Sequence, residues 1–408
     1  FRRLVLRLCG LVVLSCEPIA FWMLNRQGSN NPEPDEIERL QKLADFKNII
    51  ANNYRNGHFR DTNQRICSAD LRLLSDWTWN EKHNLTYAGD LTSDGYMTTQ
   101  QLARAFRQKY PGLLTQNRHK YLFKFTTDNR SSNSFRAFTE GLFGAQAEGY
   151  DIPKENNERL IKNNNETLSQ QRIFKSKLEY KEMLSNISLR LGYNYDMQES
   201  SIYDMYQMCR YNKAWDVAVI SPWCSVSFIV LRYSEQLNLK KNRKAFTSIK
   251  LNKYCKTFHT LPSKVPNQPS SIITFTDHAM LLSTLTALNT HFDQAPLTGD
   301  NYRTNQVQSR KWTTSTMAPF NGNLAAVLYK CTPNGNFQVN DQHQVLFLEN
   351  EHPIYLEGCR VGLCDWSLVK SKYAELISNC DLDFCNSATK IGLGISLFIS
   401  VVVSFLYM

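Results

Sequence analysis

The chain has 408 residues, of which 42% are hydrophobic, so it can bury a substantial core in one large domain or two modest ones. Its formal net charge of +10 fits a solvated basic surface, or attraction to an anionic partner such as a phosphorylated substrate, a membrane surface or nucleic acid. No basic run is interleaved with aromatic residues, so we expect no nucleic-acid partner. The most basic segment, residues 239–256, is interpreted as an exposed helical face.

The start of the chain combines a leader-like segment with a predicted strand. Residues 1–15 have a basic start and an apolar stretch that ends in small residues, which is typical of a signal peptide. Arg7 interrupts this stretch and no initiator Met precedes it, so we expect a start that is missing or misassigned. The apolar run 21–24 stops at Asn25, and a polar loop with Arg26 and Gly28 follows. This pattern predicts a strand that brings its last residues to the carboxyl edge of a sheet.

Helical and strand patterns then alternate through the first third of the chain. Apolar residues recur at helical spacing over 35–53 and over 92–111, which predicts two helices. The alternating pattern of residues 121–127 predicts a strand, and a helix is predicted shortly after it in the chain. Residues 150–269 are rich in Asn, Lys and Glu in helical patterns and are predicted to form a mostly helical insert.

Strand patterns return after the insert. A strand is predicted over 271–280, followed by a helix over 281–292. Two late strands, 323–331 and 343–350, are predicted to pair antiparallel across a turn at 332–336. The recurring strand–loop–helix units predict an α/β fold, built from residues 16–149 and 270–385.

Three of the predicted strand ends carry polar residues that suit anion binding: Arg26, Arg130 and His278. Strand ends of an α/β sheet line its ligand crevice. Two guanidiniums and an imidazole at one edge would form an oxyanion site, because Arg donates in a bidentate geometry that matches phosphate. The alternative is that the three are unrelated surface residues.

Cysteines and glycosylation motifs both favour an oxidising, secretory compartment. Many of the eleven cysteines lie close together in sequence, and none has zinc-site spacing with a nearby His, so we expect no metal. The sequons are at Asn84, Asn129, Asn165 and Asn186. Asn129 lies beside Arg130, so we expect only the other three to be glycosylated.

The C-terminal segment 386–408 is predicted to attach the protein to a membrane. Residues 391–408 carry no charge and follow a triplet of small residues that begins at Asn386. This order is typical of a GPI-attachment signal, and a membrane-spanning anchor is the alternative. We therefore expect a cell-surface or extracellular location.

Seven segments of the chain together carry a resemblance to a known family. The segments are CEPIAFWMLNRQGSNNP (16–32), ICSADLRLLSDWTW (66–79), LTSDGYMTTQQLARAFRQKYP (91–111), TTDNRSSNSFRAFTEGLF (126–143), YQMCRYNKAWDVAVISPWCSV (206–226), HAMLLSTLTALNTHFDQAPLTGDNY (278–302) and GCRVGLCDW (358–366). In combination they resemble the histidine acid phosphatases and, within them, the multiple inositol polyphosphate phosphatase branch. The resemblance covers residues 16–385 and is weak over 228–270. It implies a mixed sheet flanked by helices, with an inserted mostly helical domain, and no cofactor.

The resemblance also implies roles for six residues. In that family a His attacks phosphorus, arginines and a later His hold the phosphate oxygens, and a carboxylate protonates the leaving oxygen. The residues that fit the phosphate-holding positions are Arg26, Arg130 and His278. Three positions differ: the nucleophile position holds Gln27, the second motif Arg is Asn30, and the acid position holds Met280.

Each of the three differences removes a chemical capacity. The nitrogen lone pair of Gln27 is delocalised into the amide, so it cannot replace imidazole as a nucleophile. Asn30 lacks a charge that supports hydrogen bonds of about 1.5–3 kcal/mol. Met280 has no proton to give, and general acid catalysis contributes about 10²–10⁴-fold. Asp277 is the nearby carboxylate, and we interpret it as a solvated or loop-capping residue.

We therefore expect a pseudoenzyme that binds inositol phosphates or other phosphomonoesters weakly. The alternatives are an active phosphatase with an unorthodox pocket and a purely structural cell-surface interaction protein. His278 as a substitute nucleophile is disfavoured, because a new acid would still be needed. The resemblance further implies the disulfides Cys16–Cys331, Cys209–Cys224, Cys359–Cys364 and Cys380–Cys385, and leaves Cys67 and Cys255 without assigned partners.

Overall fold

A computed structural model describes residues 15–374, apart from 58–64, 127, 148–164, 217, 226–230, 232, 235–236, 238–268, 296, 303–308, 333–341 and 360–361. Several predictions concern residues outside this set. They are the leader up to residue 14, the basic segment 239–256, most of the turn at 332–336, the disulfide Cys380–Cys385, Cys255 and the segment 386–408.

A mixed sheet forms the centre of the fold, as the resemblance implies, and it has seven strands among the described residues. Its strands are β1 (Ser15–Arg26), β2 (Tyr121–Phe125), β3 (Ser271–Thr276), β4 (Asn323–Thr332), β5 (His343–Glu349), β6 (His352–Pro353) and β7 (Leu363–Asp365). The order is β2-β3-β1-β4-β5-β6, and β7 also pairs with β5. Strands β2, β3 and β1 run parallel, whereas β4 and β5 are antiparallel to their neighbours.

Helices flank the sheet and also form a separate layer. They are α1 (Pro34–Gln41), α2 (Leu43–Arg55), α3 (Ser68–Asp76), α4 (Ser93–Lys109), α5 (Asn129–Phe143), α6 (Asn165–Ser176), α7 (Leu178–Arg190), α8 (Glu199–Trp215), α9 (His278–Ala287), α10 (Thr314–Met317) and α11 (Trp366–Lys372). The prediction of one helix over 35–53 is wrong, because a turn at Lys42 separates α1 from α2. Leu40 and Leu43, on either side of that turn, are both buried in the same apolar cluster.

The boundary between β3 and α9 also differs from the prediction. The strand ends at Thr276, and the helix begins at His278 rather than at residue 281. The reason is a helix cap, since the Asp277 carboxylate accepts a hydrogen bond of 2.8 Å from the backbone N–H of Met280. The helix ends at Ala287, five residues before the predicted end.

Strand β1 is buried on both faces, which explains its continuous apolar run. Phe21 and Met23 belong to an apolar cluster with residues of α4 and α5, whereas Trp22 and Leu24 belong to a cluster with residues of α9 and α11. A third cluster, here called the helical cluster, joins buried residues of 40–77 to those of 174–237. Helices α1, α2 and α3 therefore pack with the helices of residues 174–237, and the domain division drawn from the sequence stays a prediction.

Three disulfides connect the described residues, and all three were implied by the resemblance: Cys16–Cys331, Cys209–Cys224 and Cys359–Cys364. The first joins β1 to β4 at directly opposed positions. Cys67 is exposed and free, and its sulfur caps α3 by accepting from the N–H of Asp70. Among the helices of the described residues, none has both the length and the apolar character that a membrane crossing requires.

Candidate functional site

The carboxyl ends of the three parallel strands meet at one edge of the sheet. Arg26 is paired with Thr276 in the β1–β3 register, and Phe125 is paired with Phe275 in the β2–β3 register. Gln27 and Asp277 directly follow the ends of β1 and β3, and Asp128 lies three residues after the end of β2. The sheet thus brings the segments that carry Arg26, Arg130 and His278 to the same edge, as the sequence predicts.

The loop after β1 lies directly on the first turn of α4. The backbone N–H of Thr92 donates to the carbonyl of Ser29 at 2.9 Å, and Asn30 forms a bridge with Leu91. A Cβ on Gly95 would lie 2.0 Å from the Ser29 carbonyl oxygen, and one on Gly28 would lie 2.8 Å from the Gly95 carbonyl oxygen. Glycine is needed at both positions because the two backbones approach too closely for a side chain.

Two contacts with the segment 318–320 hold the side chain of Arg26 in place. Its Nη1 donates to the carbonyl of Ala318 at 2.6 Å, and its guanidinium lies 4.2 Å from the centroid of the Phe320 ring. Burial and the positive charge of Arg210 lower the pKa of Arg26 to about 10, so the guanidinium stays charged at neutral pH. Its buried Nε has no hydrogen-bond partner among the described residues. The side chain therefore retains a fixed charge and an unused donor.

Gln27 and Asn30 are both buried beside Arg26. The backbone of Gln27 is fixed by hydrogen bonds to the Thr276 carbonyl (3.0 Å) and from the Asn321 N–H (3.1 Å). Its side-chain Oε1 is buried and has no partner within the described part of the chain. The amide of Asn30 donates to the neighbouring Asn31 carbonyl at 2.8 Å. Neither side chain brings a charge or an imidazole to the edge.

A buried histidine supports the same loop. His83 Nδ1 lies 2.6 Å from Asn31 Oδ1, and its ring stacks on Trp215 with centroids 3.6 Å apart. Burial lowers the pKa of His83 to about 4, so the ring is neutral at pH 7. The indole N–H of Trp215 donates to the Asn30 carbonyl at 3.3 Å. No sequence pattern singled out this group.

Arg130, in the first turn of α5, already has carboxylate partners. Its Nη2 lies 2.7 Å from Glu33 Oε1, and its Nε lies 3.8 Å from Asp128 Oδ1. Asp128 is also the N-cap of α5, since it accepts from the N–H of Ser131 at 2.9 Å. The side chain of Arg130 is 29% exposed, so solvent and ligands can reach it.

His278 and Met280 both lie in the first turn of α9, but in different surroundings. His278 is the first residue of the helix and is half-buried. Met280 is 4% exposed and belongs to the apolar cluster with Trp22 and Leu285. Asp277 caps the helix, which agrees with its interpretation as a capping residue.

The structure adds two charged residues that sequence reasoning missed, Glu33 and Arg210. Glu33 precedes α1, and its position between two prolines gave no signal beyond a helix start. Arg210 lies on α8 within the segment CRYNKAW, far from any strand end. Its charge affects the pKa of Arg26 more strongly than the charges of Asp277 and Arg130 do. The packing of α8 on the loop after β1 brings Arg210 close to Arg26.

The arrangement can hold an anion but lacks the parts for nucleophilic phosphoryl transfer by the residue after Arg26. Fixed guanidiniums at a sheet edge suit phosphate oxygens. A mixed sheet with helices on both faces and fixed guanidiniums at one edge defines an α/β protein of the kind that binds phosphate groups at a sheet edge.

The comparisons with known proteins agree with that class. Residues 31–346 match the family described as "Histidine phosphatase superfamily (branch 2)". The chain is 30% identical over 404 residues to multiple inositol polyphosphate phosphatase 1 of Drosophila melanogaster, covering 94% of this chain and 85% of that protein. It is 25% identical to the Homo sapiens protein of the same name, covering 90% of this chain and 81% of that one. The chain belongs to branch 2 of the histidine phosphatase superfamily and, within it, to the multiple inositol polyphosphate phosphatase family.

Solved structures support the fold. A phytase from D. castellii has a TM-score of 0.71 at 14% identity, covering 91% of this chain and 81% of its own. The Bifidobacterium longum multiple inositol polyphosphate phosphatase, in complex with inositol hexasulfate, has a TM-score of 0.61 at 11% identity, covering 90% and 93%. The mixed α/β fold expected from the sequence is therefore confirmed.

Proposed function

We propose that this chain is a phosphate-ligand-binding pseudoenzyme, which holds inositol phosphates or related phosphomonoesters through Arg26, Arg130 and His278. The observation that carries the proposal is Gln27, whose buried amide stands at the nucleophile position of the family. An amide cannot form the phosphohistidine-type intermediate. The inositol hexasulfate complex of the Bifidobacterium longum relative supports the ligand class.

Two further features support the absence of hydrolysis. Met280, at the position of the family's acid, has no proton to donate and is buried among apolar side chains. The carboxylate of Asp277 is engaged as the cap of α9, where it accepts a hydrogen bond from the Met280 N–H. The family's acid position therefore holds no positioned proton donor.

The test measures binding and turnover on the same preparation of the full chain. Inositol hexakisphosphate is titrated in a calorimeter, and phosphate release is measured beside the triple variant Gln27→His, Asn30→Arg, Met280→Glu. We expect the wild type to bind without phosphate release and the triple variant to release phosphate. Because Asn30 and Met280 are buried, the triple variant needs a folding check by circular dichroism. The single variant Gln27→His accompanies it and is assayed for a phosphorylated protein after acid quench.

The outcomes separate the alternatives. Phosphate release by the wild type, at a rate near that of an active family member, would contradict the proposal and favour an unorthodox phosphatase. A wild type that neither binds nor hydrolyses would favour a structural interaction protein. Arg130→Ala would then leave folding and partner interactions unchanged.

We further propose that the protein matures in the secretory pathway and is attached to the cell surface through residues 386–408. The three disulfides support an oxidising compartment. Glycosylation is proposed at Asn84, Asn165 and Asn186; of these, Asn186 is exposed on α7. Loss of apparent mass on deglycosylation and release from cells by a phosphatidylinositol-specific phospholipase would be the expected results. Resistance to the phospholipase would favour a spanning anchor.

A further inference from the structure

The second half of helix α8 lies on the loop that follows β1. The Ser29 hydroxyl donates to the Ala214 carbonyl at 3.1 Å, and the Trp215 indole donates to the Asn30 carbonyl at 3.3 Å. One turn earlier, the Tyr211 hydroxyl donates to Glu36 Oε2 at 3.0 Å. Helix α8 is thus bonded to both ends of the segment 29–36, which begins shortly after the end of β1.

Arg210 stands next to Tyr211 on this helix. Its guanidinium lies 5.3 Å from the centroid of the Tyr206 ring, and its Nη1 donates to Gln207 Oε1 at 2.9 Å. These contacts restrict the side chain while leaving it exposed to solvent. The charge of Arg210 acts on Arg26, and charges of both Arg210 and Arg130 act on Tyr211. Arg210 also lies one helical turn before Ala214, whose carbonyl contacts Ser29, so β1, α5 and α8 each bring a guanidinium towards the loop that follows β1.

The charges in this region are balanced unevenly. Arg130 forms ion pairs with two carboxylates, those of Glu33 and Asp128. For Arg26, the nearby charge with the largest effect is the positive charge of Arg210, and the negative charge of Asp277 opposes it. Two like charges held close together repel, and an anion placed between them removes that repulsion. A ligand with several phosphate groups could bind the guanidiniums of β1, α5 and α8 at the same time.

We propose that Arg210 is a ligand-binding residue of this site and supplies the positive charge that Asn30 does not. The inference rests on the proposed function, because it adds a cation to the same anion site. It also gives a physical reason why the site can lose the second motif arginine and still attract a polyanion. The helical layer, rather than the loop after β1, then provides the third charge.

The experiment titrates the full chain with inositol hexakisphosphate by calorimetry at two salt concentrations. Three variants are compared with the wild type: Arg210→Ala, Arg210→Gln, which keeps a hydrogen-bonding side chain without the charge, and Arg210→Lys, which keeps the charge. Arg72→Ala is the matched control, since it removes the same charge from an exposed position on α3. Thermal unfolding of each ligand-free variant shows whether the fold is unchanged.

We expect Arg210→Ala and Arg210→Gln to weaken binding by about tenfold or more, and Arg210→Lys to recover part of the loss. The salt dependence of binding should be less steep for the two neutral variants. Arg72→Ala should stay within about twofold of the wild type. If the wild type binds and both neutral variants bind equally well, the inference is wrong and the proposed function stands. If the wild type does not bind at all, both are wrong.

Discussion

At the scale of single residues, the most consequential contact of the candidate site is the ion pair between Arg130 and Glu33. The Nη2–Oε1 distance is 2.7 Å, so the carboxylate occupies the donor that a phosphate oxygen would use. Glu33 is half-exposed and belongs to the segment that leads into α1. Under the proposed function, a phosphate oxygen of the ligand competes with this carboxylate for one donor of Arg130, which weakens binding.

Replacing Glu33 by Gln should strengthen anion binding. The neutral amide competes less well for Arg130 and removes one negative charge from the site. Because exposed ion pairs contribute little, we expect a gain of about two- to fivefold in affinity for inositol hexakisphosphate, measured by calorimetry. Glu38→Gln, which removes the same charge from an exposed position on α1, is the control and should leave the affinity unchanged. Equal or weaker binding by Glu33→Gln would show that the carboxylate does not compete with the ligand.

Sequence reasoning located the residues at strand ends and missed those delivered by packing. The placement of Arg26, Arg130 and His278 at one sheet edge follows from parallel strands alone, because their carboxyl ends must meet. Arg210 comes from helix α8, and no local sequence pattern records which face of that helix meets the loop after β1. Glu33 reads as part of a helix start, and its pairing with a residue 97 positions later depends on the tertiary fold.

At the scale of elements, the loop after β1 depends on close contact with α4. The Ser29 carbonyl accepts from the Thr92 N–H at 2.9 Å and also from the Thr92 hydroxyl at 3.3 Å. Gly95 allows this approach, because any side chain there would meet the Ser29 backbone. Arg26, Gln27 and Asn30 are positioned through this contact, so a change in α4 should move the site without touching its side chains.

Gly95→Ala should destabilise the fold and weaken ligand binding together. The new Cβ would lie 2.0 Å from the Ser29 oxygen, so the loop or the helix has to shift. We expect a loss of about 1–3 kcal/mol in the free energy of unfolding, measured by urea denaturation. Gly112→Ala is the control, because a Cβ added there has no other atom within 4 Å. This variant should have nearly the same free energy of unfolding as the wild type. A Gly95→Ala protein with wild-type stability would contradict the close approach.

The sequence predicted the existence of elements better than their ends. Strands β4 and β5 appear within two residues of the predicted ranges, because both have continuous apolar runs. The predicted strand over 271–280 was too long, since the cap at Asp277 starts a helix directly after Thr276. An Asp directly before a run of helix-forming residues is a helix N-cap signal, and Asp277 shows it in the sequence. The turn at Lys42 has no such signal and follows from packing in the helical cluster.

At the scale of the whole molecule, the disulfide Cys16–Cys331 closes the largest loop of the described chain's three disulfides. Its cysteines are 315 residues apart, whereas those of Cys359–Cys364 are 5 apart. Cross-linking distant residues removes more entropy from the unfolded chain. The double variant Cys16→Ala, Cys331→Ala should therefore lose about 5–6 kcal/mol of unfolding free energy.

The control for this prediction is Cys359→Ala, Cys364→Ala, which should lose about 2 kcal/mol on the same entropic basis. Both double variants are compared by urea denaturation without reductant. Cys331 and Cys364 are each 1% exposed, so the packing losses are similar in the two variants. Equal destabilisation would mean that the unfolded chain does not gain the expected freedom.

Two histidines should give the stability of the whole molecule opposite pH dependences. Burial lowers the pKa of His83 to about 4, whereas the unfolded value is 6.5, so the unfolded chain binds more protons between these values. Its contribution is present above pH 6.5 and is lost as the pH falls towards 4. His291 lies 2.7 Å from Glu349, and this hydrogen bond raises its pKa. Its contribution is present below pH 6.5 and is lost as the pH rises through the raised value.

The pH profile of unfolding should separate the two. For His83→Phe, which keeps the ring over Trp215, we expect lower stability than the wild type at pH 7.5. The difference should shrink by about 3 kcal/mol between pH 7.5 and pH 4, because the variant has no proton to take up on unfolding. For His291→Asn, which suits the positive φ of 52° at that position, the difference should instead grow as the pH falls. Urea denaturation at half-unit pH steps measures both. A pH-independent difference for His83→Phe would mean that His83 is protonated equally in the folded and unfolded chains.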